Sequence, residues 1–459
     1  MTTAKISFYG GAGVVTGANF LFEVPRPDKV FKFIIDCGLE QGRKVCDDCN
    51  FKDFAYDPKS INALFVTHGH LDHVGRIGKL VHDGFRGKIY STTPTRDIAE
   101  LIMTDSLGVM EKERRGTDQP PLYEDKDVAQ AMTQWEVFDY HDPVKIGDIN
   151  IVFRDAGHIL GSSMVEFMIE NTKVLFTGDL GNSPAPLLRP TEKITDIDFM
   201  VMESVYGDRN HEKVEDREPI LKKIITDTMK RGGTLMIPAF SVERTQELLY
   251  VIENMMEASE IPIVPVYLDS PLAIAVTKIY AKHHRLFNKE VSKVIKEGDG
   301  IFNFPQLHLT KTTDQSKAIL HDSPDRKIIM AGSGMSNGGR ILHHEKAYLP
   351  DPKSTLLLAG YQVAGSLGRI IQDGARTVKI MGKVIPVRAK IEKITGFSAH
   401  KDSDDLVSFV EDSADTLKKV WCAMGEPKSS MFLAQRLRDY VGVEASVPKT
   451  GETVEINIK

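Results

Sequence analysis

Six consecutive residues, His68-Gly-His-Leu-Asp-His73, put three imidazoles and a carboxylate into one short stretch. The chain holds only 14 histidines in 459 residues, so the concentration is selective. The stretch follows the apolar, β-compatible run Ala63 to Val66 and leads into VGRIGKLVHDG, where a helix is expected. On extended chain leaving a strand, alternate side chains point the same way, so His68 and His70 can share one ion. Asp72 and His73 fall in the next turn and face a point slightly displaced, which suits two adjacent metals. Imidazole nitrogen and carboxylate oxygen are ordinary zinc ligands. A lone histidine would read as a capping or surface residue; this cluster does not.

Two other strand ends supply what is missing. His158 lies in DAGHILGSS and Asp179 in LFTGDLG, each after a β-rich run and at a glycine-bearing turn. A carboxylate such as Asp179 can bridge two cations for two-metal hydrolysis. Asp36, in FIIDCGL, also ends a strand, and its expected role is to orient a ligand histidine.

The rest of the chain repeats this grammar. Short apolar runs (KVLF, TLMI, VPVYL, KIIM, TLLL) end in Gly, Asp, Ser or Pro turns, and helical spacing follows several of them. Ser241 is the expected N-cap of VERTQELLYVIENMMEA, and Ser270-Pro271 that of LAIAVTKIYAKHH. Strand, loop and helix in repetition predict a mainly parallel α/β sheet. The first sixty residues differ: SFYGGAGVVTGANFLFEV alternates around glycines and reads as antiparallel β-structure. Gly11 and Gly13 do not make a dinucleotide loop, because Thr16 stands where a third glycine is needed and a strand follows rather than a helix.

The loop Gly332 to Arg340, GSGMSNGGR, ends a strand and opens a helix. Backbone N–H groups at Ser333, Gly334, Gly338 and Gly339 suit an anion, and Arg340 adds a guanidinium for a phosphate. No Lys-Ser/Thr follows the glycines, so it is not a Walker loop; a plain tight turn is the competing reading. Ser241, Arg244, Ser270 and Arg369 are further candidates for a strand-end groove.

Composition bounds the partners. Hydrophobic residues at 41% and charged residues at 27% fit a globular chain with a sizeable core, and the length favours two domains. A net charge of −6 argues against nucleic-acid binding by the whole surface, while leaving room for a local basic groove. No apolar run is long enough to span a bilayer and no secretory leader is evident, so a cytoplasmic, non-membrane protein is expected. Of the four cysteines, Cys37, Cys46, Cys49 and Cys422, Cys46 and Cys49 form a single CxxC around Asp47 and Asp48 and are expected to be ordinary thiols in a surface loop.

Taken together, Asp36, His68-x-His70-x-Asp72-His73, His158 and Asp179 resemble, in order and spacing, the four motifs of the metallo-β-lactamase superfamily. That resemblance implies an α/β fold, an αββα sandwich with a zinc pair. His68, His70, His158 and Asp179 would hold one Zn²⁺, and Asp72, His73 and Asp179 the other. VMESVYGDRNH, PAFSVERTQELL, VYLDSPLA, AGSGMSNGGRILHH and ITGFSAHKDSDDL are similar to the β-CASP ribonuclease branch, especially the group that includes the endonuclease subunit of the cleavage and polyadenylation specificity factor. The likeness covers nearly the whole chain. It implies a metallo-β-lactamase domain at residues 1–208 and 371–459 with an inserted β-CASP α/β domain at 209–370.

Residue by residue, Glu203 matches the acidic motif after Asp179, and His400 in GFSAH matches the histidine over the scissile phosphate. The expected activity is hydrolysis of RNA phosphodiester bonds by a hydroxide that the metals activate, leaving a 3′-hydroxyl and a 5′-phosphate. Asp72, Glu203 and His400 are the expected catalytic residues, with His400 protonating the departing oxygen and Glu203 holding its ring. Endonucleolytic cleavage of single-stranded RNA is expected, with 5′-exonuclease action and homodimerisation left open. One position departs: Met424, in WCAMGEP, stands where the family carries a histidine that completes the second metal site, and a thioether is a poor zinc ligand. The competing expectation is therefore a catalytically weak RNA-binding scaffold. A DNA nuclease or small-molecule hydrolase is a third.

Overall fold

A computed structural model describes residues 2–41, 48–114, 120–296, 300–363 and 365–459. Cys46 lies outside them. Cys37 and Cys422 are buried, and burial pushes both thiols up to about 12, so neither is a reactive thiolate. The chain divides into two compact units, Met1–Ala185 with Pro190–Asn210 and His400–Lys459, and Pro186–Arg189 with His211–Ala399.

The first unit contains two seven-stranded sheets. One runs in the order Thr453–Ile458, Thr2–Gly10, Asn19–Pro25, Val30–Ile35, Ala63–Phe65, Lys88–Ser91, Trp135–Val137. Its first four strands are antiparallel, as the alternation of the first sixty residues implies, and the rest join in parallel. The other runs Ala445–Ser446, Lys419–Cys422, Phe199–Met202, Thr172–Phe176, Ser163–Ile169, Ile149–Asp155, Pro143–Ile146. Alternate side chains fill the space between the sheets: Phe8, Phe20, Phe22, Phe33 and Phe65 from the first meet Phe153, Phe167 and Phe176 from the second. Phe167 is the hub, with ring centroids of Phe22 and Phe65 each 5.2 Å away, edge to face.

Helices cover the outer faces. Leu406 and Val410 of Ser403–Glu411 and Leu433 of Pro427–Arg436 pack on Leu175, Met200 and Val420. Ile77–His82, Thr93–Glu113 and Asp125–Gln134 accompany the first sheet. The result is an αββα sandwich. Parallel strands finish at the same edge, and that places the chemistry. Val30–Ile35 ends at Asp36 and Ala63–Phe65 ends before His68, while Thr172–Phe176, Phe199–Met202 and Lys419–Cys422 end before Asp179, Glu203 and Met424.

The second unit is built on a six-stranded parallel sheet, in the order Leu307–Leu309, Val266–Leu268, Lys327–Ala331, Thr234–Pro238, Thr355–Leu358, Lys390–Lys393. Ser270 caps helix Pro271–Lys282, its Oγ accepting from Ala273 N at 3.2 Å. Ser241 does not cap its helix: Arg244–Glu257 starts later, behind Glu243 in a left-handed conformation (φ 65°), and that turn takes up the residues expected in the first helical turn. Lys390–Lys393 pairs with Thr355–Leu358, and Val378, Ile380 and Ile385 share a core with Leu356 and Leu358, so 371–399 belongs to the second unit. No helix among the described residues is long and apolar enough to cross a membrane.

Candidate metal centre

His68, His70, His158 and Asp179 bring one ligand atom each to within 4.8 Å of one another. His68 Nε2 lies 3.1 Å from His70 Nδ1 and 3.4 Å from Asp179 Oδ2. His158 Nε2 lies 3.3 Å from His70 Nδ1 and 3.5 Å from Asp179 Oδ2. Zinc bonds of ~2.0–2.1 Å put neighbouring ligand atoms about 3 Å apart, and these four separations are of that size. A second observation supports the fit. His73 Nε2 and Asp179 Oδ1 are buried, 3.5 Å apart, and neither has a hydrogen-bond partner among the described residues. Buried polar atoms rarely stay unsatisfied without a function.

Hydrogen bonds behind the ligands fix their tautomers. Asp36 accepts from Thr67 N through Oδ1 and from Thr67 Oγ1 through Oδ2, each at 2.8 Å. With its only proton given to Asp36, Thr67 Oγ1 accepts from His68 Nδ1 at 3.0 Å, leaving the Nε2 lone pair to face Asp179. Asp36 Oδ2 also lies 2.8 Å from His73 Nδ1, which turns His73 Nε2 inward. Sequence reasoning overlooked Thr67. Its only signal is its place between the strand and His68.

The electrostatics divide the imidazoles. Burial, then neighbouring rings, hold His68 below its ordinary value and His70 and His158 well below, in the neutral form that binds metal. Burial acts the same way on His73, but Asp179 and Asp36 outweigh it and carry His73 well above. Burial opposes ionisation of Asp179, and His73 and His68 overcome it. Burial raises Asp72, with His73 pulling against it. Asp72 is half-buried, and the set Asp72, His73, Asp179 is not among the groups that gather.

The second group that gathers is Asp179, Glu203 and His400. Glu203 is fully buried, held by Leu180 N at 2.5 Å, and its two oxygens lie 3.1 and 3.2 Å from His400 Nδ1. Burial raises Glu203, against the pull of His400. Burial alone would lower His400, but Glu203 and Asp179 push it up to about 9, so the ring is protonated at neutral pH. Tyr206, also unremarked in the sequence, lies with its ring 6.2 Å from that of His400.

Met424 is 2% exposed and packs in the inter-sheet core, where a Cβ on Gly11 would meet its sulfur at 2.6 Å. It lines a cavity of about 10 Å³ shared with Asp36, His73 and Glu203, with room for one water centre at most.

The residues expected to bind phosphate behave differently. Arg340 is committed to structure: Nη1 donates to Asp269 Oδ1 at 2.7 Å and to Thr310 O at 3.0 Å, and Nη2 donates to Lys311 O at 3.1 Å. Arg244 is buried and donates to Glu247 at 2.7 Å. Arg369 pairs with Asp373 at 2.9 Å. The loop itself closes inward. Ser333 N donates to Gly338 O, Asn337 N and Gly338 N donate to Ser333 Oγ, and Gln362 Nε2 donates to Gly334 O. A Cβ on Gly339 would meet Gly332 O at 2.4 Å and one on Gly334 would meet the Phe240 ring at 2.6 Å, so these glycines serve close packing. The hydroxyls of Ser241 and Ser270 approach Gly332 to within 4.0 and 3.9 Å of where its Cβ would lie.

Three family descriptions match the chain: Metallo-beta-lactamase superfamily over residues 29–191, Beta-Casp domain over 245–371, and Zn-dependent metallo-hydrolase RNA specificity domain over 384–448. Ribonuclease TTHA0252 of Thermus thermophilus is 34% identical over 453 residues, covering 98% of this chain and 100% of the relative. Transcription termination factor FttA of Methanosarcina mazei is 32% identical, covering 98% of this chain and 71% of the relative. An RNase J-like protein of Methanocaldococcus jannaschii is 31% identical, covering 93% and 94%. A crystal structure of a protein of unknown function from Enterococcus faecalis V583 aligns over 99% of this chain and 100% of its own, with TM-score 0.55 and 14% identity, which speaks to the fold alone.

Proposed function

Because the chain belongs to the β-CASP ribonuclease family of metallo-β-lactamase-fold hydrolases, we propose that it is a zinc-dependent endoribonuclease that cleaves single-stranded RNA. The observation that carries this reading is the set His68, His70, His158 and Asp179, with one ligand atom each within 4.8 Å of the others, beside the hydrogen-bonded His400–Glu203 pair. His68, His70, His158 and Asp179 would hold one zinc. Asp72, His73 and Asp179 would hold a second more weakly, because Met424 adds no donor there. When bound, zinc supplies Lewis acidity that sharpens a water into a nucleophile and neutralises the phosphoryl oxygens.

The protein residues supply the proton and the order. His400 carries a proton at neutral pH and gives it to the 3′-oxygen as the phosphorus–oxygen bond breaks, leaving a 3′-hydroxyl and a 5′-phosphate. Glu203 holds the ring in place and stabilises its charge. Asp36 and Thr67 fix the ligand tautomers.

Metal analysis and cleavage of an end-labelled single-stranded RNA test the reading. We expect one zinc that survives dilution, a second that does not, and internal cuts with 5′-phosphate ends. Met424→His is expected to raise zinc content toward two. RNA binding with no turnover, unchanged by His68→Ala, overturns the enzyme and leaves the scaffold. Cleavage of DNA oligomers in preference to RNA overturns the substrate.

A further inference from the structure

The segment Arg376 to Lys393 carries six cations and one anion, in a chain whose net charge is −6. Arg376, Lys379, Lys383, Arg388, Lys390 and Lys393 are all exposed. Lys390 pairs with Glu392 at 2.5 Å. The other five have no ion-pair partner among the described residues. A solvated face ordinarily mixes signs, because like charges held close repel. Here one anion stands among six cations and pairs with only one of them, so folding alone gives no reason for the excess.

Its shape adds a second observation. Thr377–Ile380 and Lys383–Pro386 form an antiparallel hairpin, anchored by buried Val378, Ile380 and Ile385. The opposite face presents the cross-strand pair Lys379 and Val384, the latter 71% exposed. Next to the hairpin, Lys390–Lys393 is the last strand of its sheet. A groove of about 470 Å³ lies there, floored by Ile371, Val387 and Ile391 and flanked by Arg376 and Lys393; the one carboxylate in its lining, Glu392, is paired with Lys390. That is within the range of small-ligand sites, ~300–1,000 Å³. An apolar floor between cations suits a base with phosphates on either side.

We propose that this groove and hairpin form a second, non-catalytic surface that binds the backbone of single-stranded RNA. The proposal rests on the ribonuclease reading, and none of its residues belongs to the metal centre. A strand held here contributes affinity and length dependence rather than chemistry.

The test uses the full chain with Arg376→Gln, Lys379→Gln and Lys393→Gln combined, and Lys379→Glu alone as a milder change at an exposed position. Anisotropy with a fluorescent thirty-nucleotide RNA in chelator, across a salt series, reads binding. The triple variant is expected to bind about tenfold more weakly and to lose about two from the slope of log affinity against log salt, at ~0.7 per phosphate contact. Zinc content, thermal midpoint and turnover of a six-nucleotide RNA stay at wild-type values. Unchanged affinity and slope in both variants overturn the proposal while leaving the ribonuclease reading intact. Loss of binding to an acidic peptide with no change toward RNA also overturns it. A wild-type chain that neither binds nor cuts RNA overturns the ribonuclease reading first.

Discussion

The loop at residues 66–75 and the loop at 332–340 both leave a parallel strand, both mix glycine with polar side chains, and both open a helix. The first leaves imidazole nitrogens facing one another at 3.1 Å, with His73 Nε2 buried and unsatisfied. The second spends its groups on itself and on the Asp269 network, where Asp269 accepts from Arg340 and Ser316 and lies 2.8 Å from His344 Nε2. The difference lies in where the partners come from. The first loop meets side chains from other strand ends, which leave a shared point empty of protein. The second meets groups that satisfy the loop itself, and the atoms left over around it, His344 Nδ1, Glu345 Oε2 and Gln362 Oε1, do not gather as a ligand set among the described residues. Loop composition alone therefore does not mark a site; convergence of several ligand-type atoms on one point does.

His68→Ala would break the contrast most sharply. It removes a ligand, so cleavage is expected to fall by about 10³-fold or more, together with tightly held zinc, while the thermal midpoint of the zinc-free chain changes little. Metal analysis beside a single-turnover RNA assay checks it. Asp269→Asn probes the closed loop. Because one buried partner would be left without its counter-charge, stability should drop by about 3–5 kcal/mol in chemical denaturation, with zinc stoichiometry unchanged. If that variant lost zinc instead, the two loops would not be independent.

Glu345 supplies a pH signature of the closed loop. Burial pushes its carboxyl from 4.5 up to about 8, against the hydrogen bond from Ser336. The unfolded chain ionises near 4.5 and the folded chain near 8, so the unfolded state releases its proton first. Stability is fully present below about pH 4.5 and is lost as pH rises to about 8. At ~1.4 kcal/mol per unit this is a few kcal/mol, and Glu345→Gln should flatten that slope in denaturation midpoints between pH 5 and 8. The smallest expected effect is Asp36→Asn, which keeps the shape but weakens the orientation of His73; zinc affinity should fall about 10–100-fold by competition with a chelating dye.

Much of this was readable in the chain. Asp36, His68, His70, His158 and Asp179 each stand directly after a β-compatible run, and parallel strands must end together, so their meeting follows from pattern and topology. The antiparallel start was readable because alternation around Phe20 and Phe22 is a period-two signal. What escaped depended on distant partners. Arg340 looked free to take a phosphate, yet its acceptor Asp269 is 71 residues away. Arg244 looked like a groove residue but is buried against Glu247. The left-handed turn at Glu243 has no glycine to announce it. The strand Lys390–Lys393 found its edge in the parallel sheet beside Thr355–Leu358, a choice of partner that local sequence does not encode.

The strand Thr2–Gly10 has Thr453–Ile458 for a neighbour, with Ala4 opposite Ile456 and Ile6 opposite Val454. On the ribosome the earlier of these two waits until residues 453–458 have emerged before it gains its companion. A nascent chain therefore carries an open edge on this sheet until that later strand is made.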